Sequence, residues 1–356
     1  MLPLSIDTPC GLRSIGPGCP VFVVAELSGN HNGDFARAEA LVDAAIDAGA
    51  DAIKLQTYTA DTMTIDCDSP CFRVELNEAW AGHTLYSLYQ LAATPWDWQP
   101  RLKARAEARG VPLFSSPFDA SAVDFLEGMG VSLYKVASFE LGDLELLRKI
   151  GSTRKPVIIS RGMATADEIA TALATLRDAG AAGIALLHCV SAYPAAPEEM
   201  NLRTIPDLAQ RFGVLSGLSD HTLGTSVAVA SVALGACVIE KHFTLRRSDG
   251  GPDASFSLEP AEFRELVQQV RQVSAALGQP SYQPGPSEQK ARAYRRSLFV
   301  VEDIQEGELL TPRNVRVIRP GHGLSPSYLH AVLGQRARVT LRRGTPLRPE
   351  HVLGLG

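Results

Sequence analysis

Eight short β-type runs recur between Val21 and Thr244, each followed by a stretch long enough for a helix, and this rhythm constrains the fold more than any other feature. The runs are VFVVAEL from Val21, DAIKLQTY from Asp51, VPLFSSPF from Val111, LYKVAS from Leu133, PVIISRG from Pro156, IALLHCV from Ile184, VLSGLSD from Val214 and CVIEKHFT from Cys237. Crossovers of that length imply parallel strands. The segments FARAEALVDAAIDAG and TADEIATALATLRDAG place apolar residues every three to four positions and stop at Gly49 and Gly180, as amphipathic helices do. Eight such units fit an α/β fold of the closed TIM (β/α)8 type, with a doubly wound open sheet as the rival. Between the second strand and its helix, residues 59–82 (TADTMTIDCDSPCFRVELNEAWAG) exceed the usual connection length on the rim where such barrels carry active sites. They read as a substrate-covering loop, the alternative being a plain surface insertion.

The barrel pattern ends with EPAEFRELVQQVRQVSAALG. Residues 1–280 are assigned to it, 281–296, rich in Pro, Gly and charge, to a linker, and 297–356, with β-type runs punctuated by Gly and Pro, to a small β-rich module. Residues 288–356 hold 12 Lys+Arg against 6 Asp+Glu, a net +6, so the remainder of this chain of net charge −5 carries −11. Opposite signs favour docking of the small unit on an acidic one, in the same chain or a neighbouring one. Nucleic-acid binding by the tail is the alternative, and the scattered arginines without an aromatic platform oppose it. No apolar run is long enough to span a membrane and no secretory leader pattern opens the chain, so a cytoplasmic protein is expected. Of the six cysteines, Cys189 and Cys237 fall in apolar runs and read as packed thiols, whereas Cys67 and Cys71 could pair or bind metal but have no further ligand beside them.

In a barrel of this kind the polar residues at the C-terminal strand ends form the chemical set. They are Glu26, with Asn30 and His31 after it; Lys54 and Gln56; Ser115, Ser116 and Asp119; Lys135, Ser138 and Glu140; Ser160; Ser191 and Tyr193; Ser219 and His221; and Glu240 and His242. A strand-end serine often only caps the next helix, and His188 inside LLHCV reads as a satisfied core histidine. Taken jointly, two lysines and several hydroxyls suit an oxyanion or phosphate, and His221 and His242 can hold a divalent cation. Two histidines leave positions open for water and substrate oxygens, which suits Mn2+ or Mg2+ as a Lewis acid. The competing chemistry is a metal-free aldolase with Lys135 or Lys54 as Schiff base. A non-catalytic carbohydrate-binding or ice-binding barrel is a further alternative.

The segments AELSGNHNGD, GADAIKLQTYTADT, LFSSPFD, YKVASFEL, ISRGMAT, HCVSAYP, GLSDHTLGTSVAVASVALGA, IEKHFTL and GPDASFSLEP resemble the sialic acid synthase family, whose members condense phosphoenolpyruvate with an amino sugar. RRSLFVVEDIQEGELLT, RVIRPGHGL and RRGTPL resemble that family's C-terminal antifreeze-like (SAF) module. TYTADTMT, HCVSAYP and DASFSLEP look most like its pseudaminic acid synthase branch, which uses 2,4-diacetamido-2,4,6-trideoxy-L-altrose. N-acetylneuraminate or legionaminate synthesis from an N-acetylmannosamine-type sugar is the alternative. Ser191 and Ala254 stand where N-acetylneuraminate synthases have Asn and His, and Arg161 replaces a usual Thr, adding a cation whose direction the sequence leaves open. The resemblance implies that Lys54, Ser116, Lys135, Ser138, Ser160 and Ser219 bind phosphoenolpyruvate and that His221 and His242 bind the metal. It implies that Glu26 is the base and that Gln56, Glu140, Ser191, Tyr193, Glu240 and Asp253 face the sugar. Arg319 would reach the neighbouring subunit's site in a domain-swapped homodimer.

Overall fold

A computed structural model describes residues 3–74, 80 and 82–355. The chain divides after Gly278 into two compact units. In the first, an antiparallel hairpin of β1 (Leu4–Thr8) and β2 (Gly11–Ile15) precedes eight parallel strands: β3 (Phe22–Glu26), β4 (Ala52–Thr57), β5 (Leu113–Pro117), β6 (Tyr134–Val136), β7 (Pro156–Ser160), β8 (Gly183–Cys189), β9 (Leu215–Asp220) and β10 (Val238–His242). They close into a barrel in chain order, β10 pairing β3 with Val238 opposite Phe22 and His242 opposite Glu26. The eight β-type runs are thus the eight barrel strands, and the open-sheet alternative is ruled out.

The two amphipathic segments form helices Phe35–Asp47 and Ala166–Ala179. The second starts at a Thr165/Glu168 capping box and ends at Gly180, whose φ of +105° is cheap only for glycine. Inward side chains are apolar in the lower half of the barrel: Phe22, Val24, Ala52, Phe114, Leu133, Ile158, Leu187, Leu215 and Val238 form one buried cluster. The same cluster takes in Leu4, Ile6 and Ile15, so the hairpin, which the sequence reading did not anticipate, plugs the barrel's N-terminal end. Each such side chain contributes about 1.5–3 kcal/mol on leaving water. Asp51 fastens this end: it accepts from the Val23 amide (2.8 Å) and pairs with Arg13 (2.9 Å) and Arg271 (2.5 Å).

The insertion after β4 opens with a helical turn, Ala60–Met63, held by a Thr59/Thr62 capping box. Its residues 75–79 and 81 lie outside the described residues. Trp80 comes back across the C-terminal mouth, its indole N–H donating to the Pro252 carbonyl (2.8 Å) and its ring 5.6 Å from that of Tyr193.

The C-terminal unit pairs β11 (Ser297–Val300) with β12 (Val315–Ile318) antiparallel over a small core that includes Leu298, Val300, Ile304, Val315, Leu341 and Val352. The stretch read as linker contains a short helix, Pro286–Ala291. Among the described residues no helix is long and apolar enough to cross a membrane, and all six cysteines are free.

Candidate active site

Strand alternation decides which of the polar strand-end residues meet. Above the apolar layers the inward positions turn polar, giving Glu26, Lys54, Gln56, Ser116, Lys135, Ser160, Ser219, Glu240 and His242 at the same end of the barrel. Lys54 is central. Its ammonium contacts Glu26 Oε2, lies 3.5 Å from Glu240 Oε1, and donates to Ser116 Oγ (3.4 Å). Glu240 also accepts from the Ser219 hydroxyl (3.0 Å). Lys135 donates to Ser160 Oγ and to the Val136 carbonyl, both at 2.8 Å.

All four charged groups of this set are almost fully buried. Burial pushes Glu26 above the ordinary carboxylate range, only partly opposed by Lys54. Burial also works against ionisation of Lys54, but Glu240 and Glu26 more than offset it and hold the ammonium charged. For Glu240 the same burial is outweighed by Lys135 and Lys54, leaving it ionised. Lys135, by contrast, is pulled below its usual range by burial. The arrangement offers two cations and several hydroxyls to an incoming anion, beside a carboxyl poised to exchange a proton.

Next to it, the rings of His221 and His242 lie 5.4 Å apart, with Tyr193 4.4 Å from the first and Phe256 4.9 Å from the second. His221 Nδ1 donates to the Val190 carbonyl (2.8 Å), which leaves Nε2 with its lone pair. His242 Nδ1 is buried without a partner. Burial holds both imidazoles neutral, with the second further depressed by the first. Two neutral nitrogen donors, one of them unsatisfied, fit a divalent cation. Among the described residues no set of three or more His, Cys, Asp or Glu could hold a metal, so the remaining ligands would be water or substrate oxygens.

Ser138 and Ser191 hydroxyls share a hydrogen bond (2.8 Å), and Gly162 presses on both so closely that a Cβ there would collide with them. Burial lifts the Glu140 carboxyl to about 7, and its Oε2 has no partner. Asp253 accepts from the Ser28 hydroxyl. Other strand-end residues are turned elsewhere. Ser115 bonds Thr57 outside the barrel (2.6 Å), Asp119 caps the helix Ala120–Met129, and His31 is satisfied by Thr94 and the Gly33 amide. Asn30 ties Phe243 to Ser257. Arg161 points outward: its guanidinium donates to His188 Nδ1 (2.9 Å), whose Nε2 donates to the Met200 carbonyl, so His188 is the satisfied core histidine expected. Arg319 lies exposed in the C-terminal unit, just after β12.

Sequence reasoning overlooked Ser28, Trp80 and Phe256, and the buried pair Asp220–Lys241 (2.7 Å), in which Asp220 also accepts from the Thr222 amide (3.0 Å) and hydroxyl (2.8 Å). Each member of this pair immediately precedes one of the two histidines along the chain. Its signal was present: one charged residue at an outward position of each of two buried strands needs a partner.

The pattern of the NeuB family matches residues 41–282, and that of the SAF domain residues 295–353. Pseudaminic acid synthase of Helicobacter pylori is 41% identical over 94% of this chain and 98% of its own length. N,N'-diacetyllegionaminic acid synthase of Legionella pneumophila is 35% identical over 96% of this chain and 97% of its own. The crystal structure of an N-acetylneuraminic acid synthetase from Leptospira borgpetersenii, in complex with citrate, superposes with a TM-score of 0.70 at 33% identity, covering 78% of this chain and 92% of that one. The chain belongs to the NeuB family and is a phosphoenolpyruvate-dependent nonulosonate synthase, a transferase, which removes the aldolase and non-catalytic alternatives.

Proposed function

We propose that the protein condenses phosphoenolpyruvate with 2,4-diacetamido-2,4,6-trideoxy-L-altrose to give pseudaminic acid and phosphate. The observation that carries this is the likeness to a pseudaminic acid synthase along nearly the whole chain, higher than that to a legionaminic acid synthase of similar coverage. The aromatic surface of Trp80, Tyr193 and Phe256 around the histidines suits a diacetamido trideoxy sugar of either configuration better than N-acetylmannosamine, since acetamido methyls and a deoxy carbon are apolar.

In this reading Lys54, Lys135, Ser116, Ser138, Ser160 and Ser219 hold the phosphate and carboxylate of phosphoenolpyruvate. NeuB synthases generally use a divalent metal; here His221 and His242 would hold Mn2+ or Mg2+, which supplies Lewis-acid polarisation of the sugar's C1 aldehyde. C3 of the enol bonds to C1, water adds at C2, and the C2–O bond to phosphate breaks to leave the keto acid. Glu26, lifted by burial and touching Lys54, takes the proton of that water. Gln56, Glu140, Ser191, Tyr193, Glu240 and Asp253 face the sugar. Arg319 comes from the partner chain of a domain-swapped homodimer, in keeping with the opposite net charges of barrel and C-terminal unit. Six free cysteines suit the reducing cytoplasm.

The test is phosphate release from phosphoenolpyruvate with Mn2+ and three acceptors: the altrose sugar, 2,4-diacetamido-2,4,6-trideoxy-D-mannose and N-acetylmannosamine. Turnover with the altrose sugar at least tenfold above the others is expected. Preference for the second or third moves the assignment to legionaminate or N-acetylneuraminate synthesis.

A further inference from the structure

Ser28 occupies a backbone position made for another residue. β3 ends at Glu26, and the chain turns at once, the Asn30 amide donating to the Leu27 carbonyl (3.2 Å). Ser28 takes the first inner place of that turn with φ +48°, in the left-handed region that glycine enters freely and a side chain resists. It is also buried, at 3% exposure. Compared with glycine, serine brings one hydroxyl to this place, and both of its contacts belong to the site. It donates to Asp253 Oδ2 and accepts from Gln56 Nε2 (3.3 Å).

Those two contacts fix more than distance. The hydroxyl's single proton goes to Asp253, so only its lone pairs are left for Gln56. The Gln56 amide nitrogen also donates to Glu26 Oε1 (3.3 Å), which accepts the Ser28 backbone amide as well (2.9 Å). With two acceptors on one side, the Gln56 side chain cannot flip, and its carbonyl oxygen is turned away from Glu26 and Ser28. Asp253, a carboxylate with no cation among its hydrogen-bond donors, depends on Ser28 and the Gly29 amide for its orientation.

We infer that Ser28 is a positioning residue for the acceptor sugar, aiming the Asp253 carboxylate and the Gln56 carbonyl as paired acceptors toward the sugar's N–H and O–H groups. This rests on the reading that Asp253 and Gln56 face the sugar, and it makes Ser28 a determinant of sugar recognition and not of phosphoenolpyruvate binding.

Ser28→Gly removes the hydroxyl and relieves the backbone, whereas Ser28→Ala removes it and keeps the strain; the backbone amide to Glu26 survives in both. Each full-length variant is assayed by phosphate release with whichever acceptor the wild type turns over, varying sugar and phosphoenolpyruvate separately. A lost hydrogen bond to a charged group corresponds to a fall of about ten- to a hundredfold in kcat/KM for the sugar in both variants. KM for phosphoenolpyruvate stays within about twofold, and Ser28→Gly melts no lower than wild type. Unchanged sugar kinetics in Ser28→Gly, or parallel rises in both KM values, would overturn the assignment. Gln56→Ala and Asp253→Ala report on the underlying reading: no sugar effect there removes it together with the Ser28 role, while an effect there with none in Ser28→Gly removes the Ser28 role alone.

Discussion

Lys241→Met should be among the most damaging single substitutions in the barrel, although Lys241 faces away from the site. Its ammonium sits 2.7 Å from Asp220 Oδ2, both side chains are 0% exposed, and it also contacts the Thr222 carbonyl. At an effective dielectric of about 20, two unit charges at that separation attract by about 6 kcal/mol, and much of this is offset by the cost of taking them out of water. Removing one partner strands the other, at about 3–5 kcal/mol. Against a total stability of about 5–15 kcal/mol, that is a large fraction. Asp220→Asn/Lys241→Met removes both charges and should recover at least half of the loss. The assay is urea denaturation followed by circular dichroism, paired with Mn2+ affinity from electron paramagnetic resonance of the free ion. Because Asp220 and Thr222 flank His221 and Lys241 precedes His242, Mn2+ affinity should fall about 10- to 100-fold in the single variants at urea concentrations where they remain folded. A loss under about 1 kcal/mol in Lys241→Met with unchanged Mn2+ affinity would refute the view that this pair sets the histidine geometry.

His221→Ala and His242→Ala should each weaken Mn2+ binding at least tenfold and remove nearly all phosphate release; turnover that persists in chelator would exclude the metal role. Glu140 provides a pH test. Its folded pKa of about 7 lies above the ordinary 4.5 because of burial, so its contribution is fully present below about pH 4.5 and is lost as pH rises through 7. The melting temperature of wild type should therefore decline between pH 5 and 8 relative to Glu140→Gln, and parallel profiles would contradict the assigned shift. Arg319→Ala and His221→Ala chains, each inactive, should regain about a quarter of wild-type activity when co-expressed, since half of the chains pair as mixed dimers and each has one intact site. No recovery would refute the domain swap.

The fold was legible because the eight strands are written twice, in β-branched runs and in the helices between them. The hairpin was missed although Leu4 and Ile6 alternate with polar residues in the pattern of a half-buried strand, because five residues carry too little signal beside eight long repeats. For the site, a list of strand-end residues includes both faces of each strand. Ser115 and Ser116 are neighbours in sequence, yet one bonds Thr57 under the helices and the other meets Lys54 inside. Counting parity from the apolar residues below separates them. Parity would also have exposed Asp220 and Lys241 as outward charges. Ser28 is different: a left-handed φ on a serine leaves no mark in the sequence, and its partner Asp253 is 225 positions away.

The hairpin at the base of the barrel has a kinetic meaning. With Leu4, Ile6 and Ile15 packed into the lower layers, the barrel is a vessel with one opening. Two substrates and two products must share that passage. Lys54 meets Glu240, one inward position below His242 on β10, so a ligand held by that lysine would lie beneath one held at the histidine and would have to enter first. Order of addition would then follow from a closed base, to which the hairpin's three apolar side chains add a layer beneath the barrel's own.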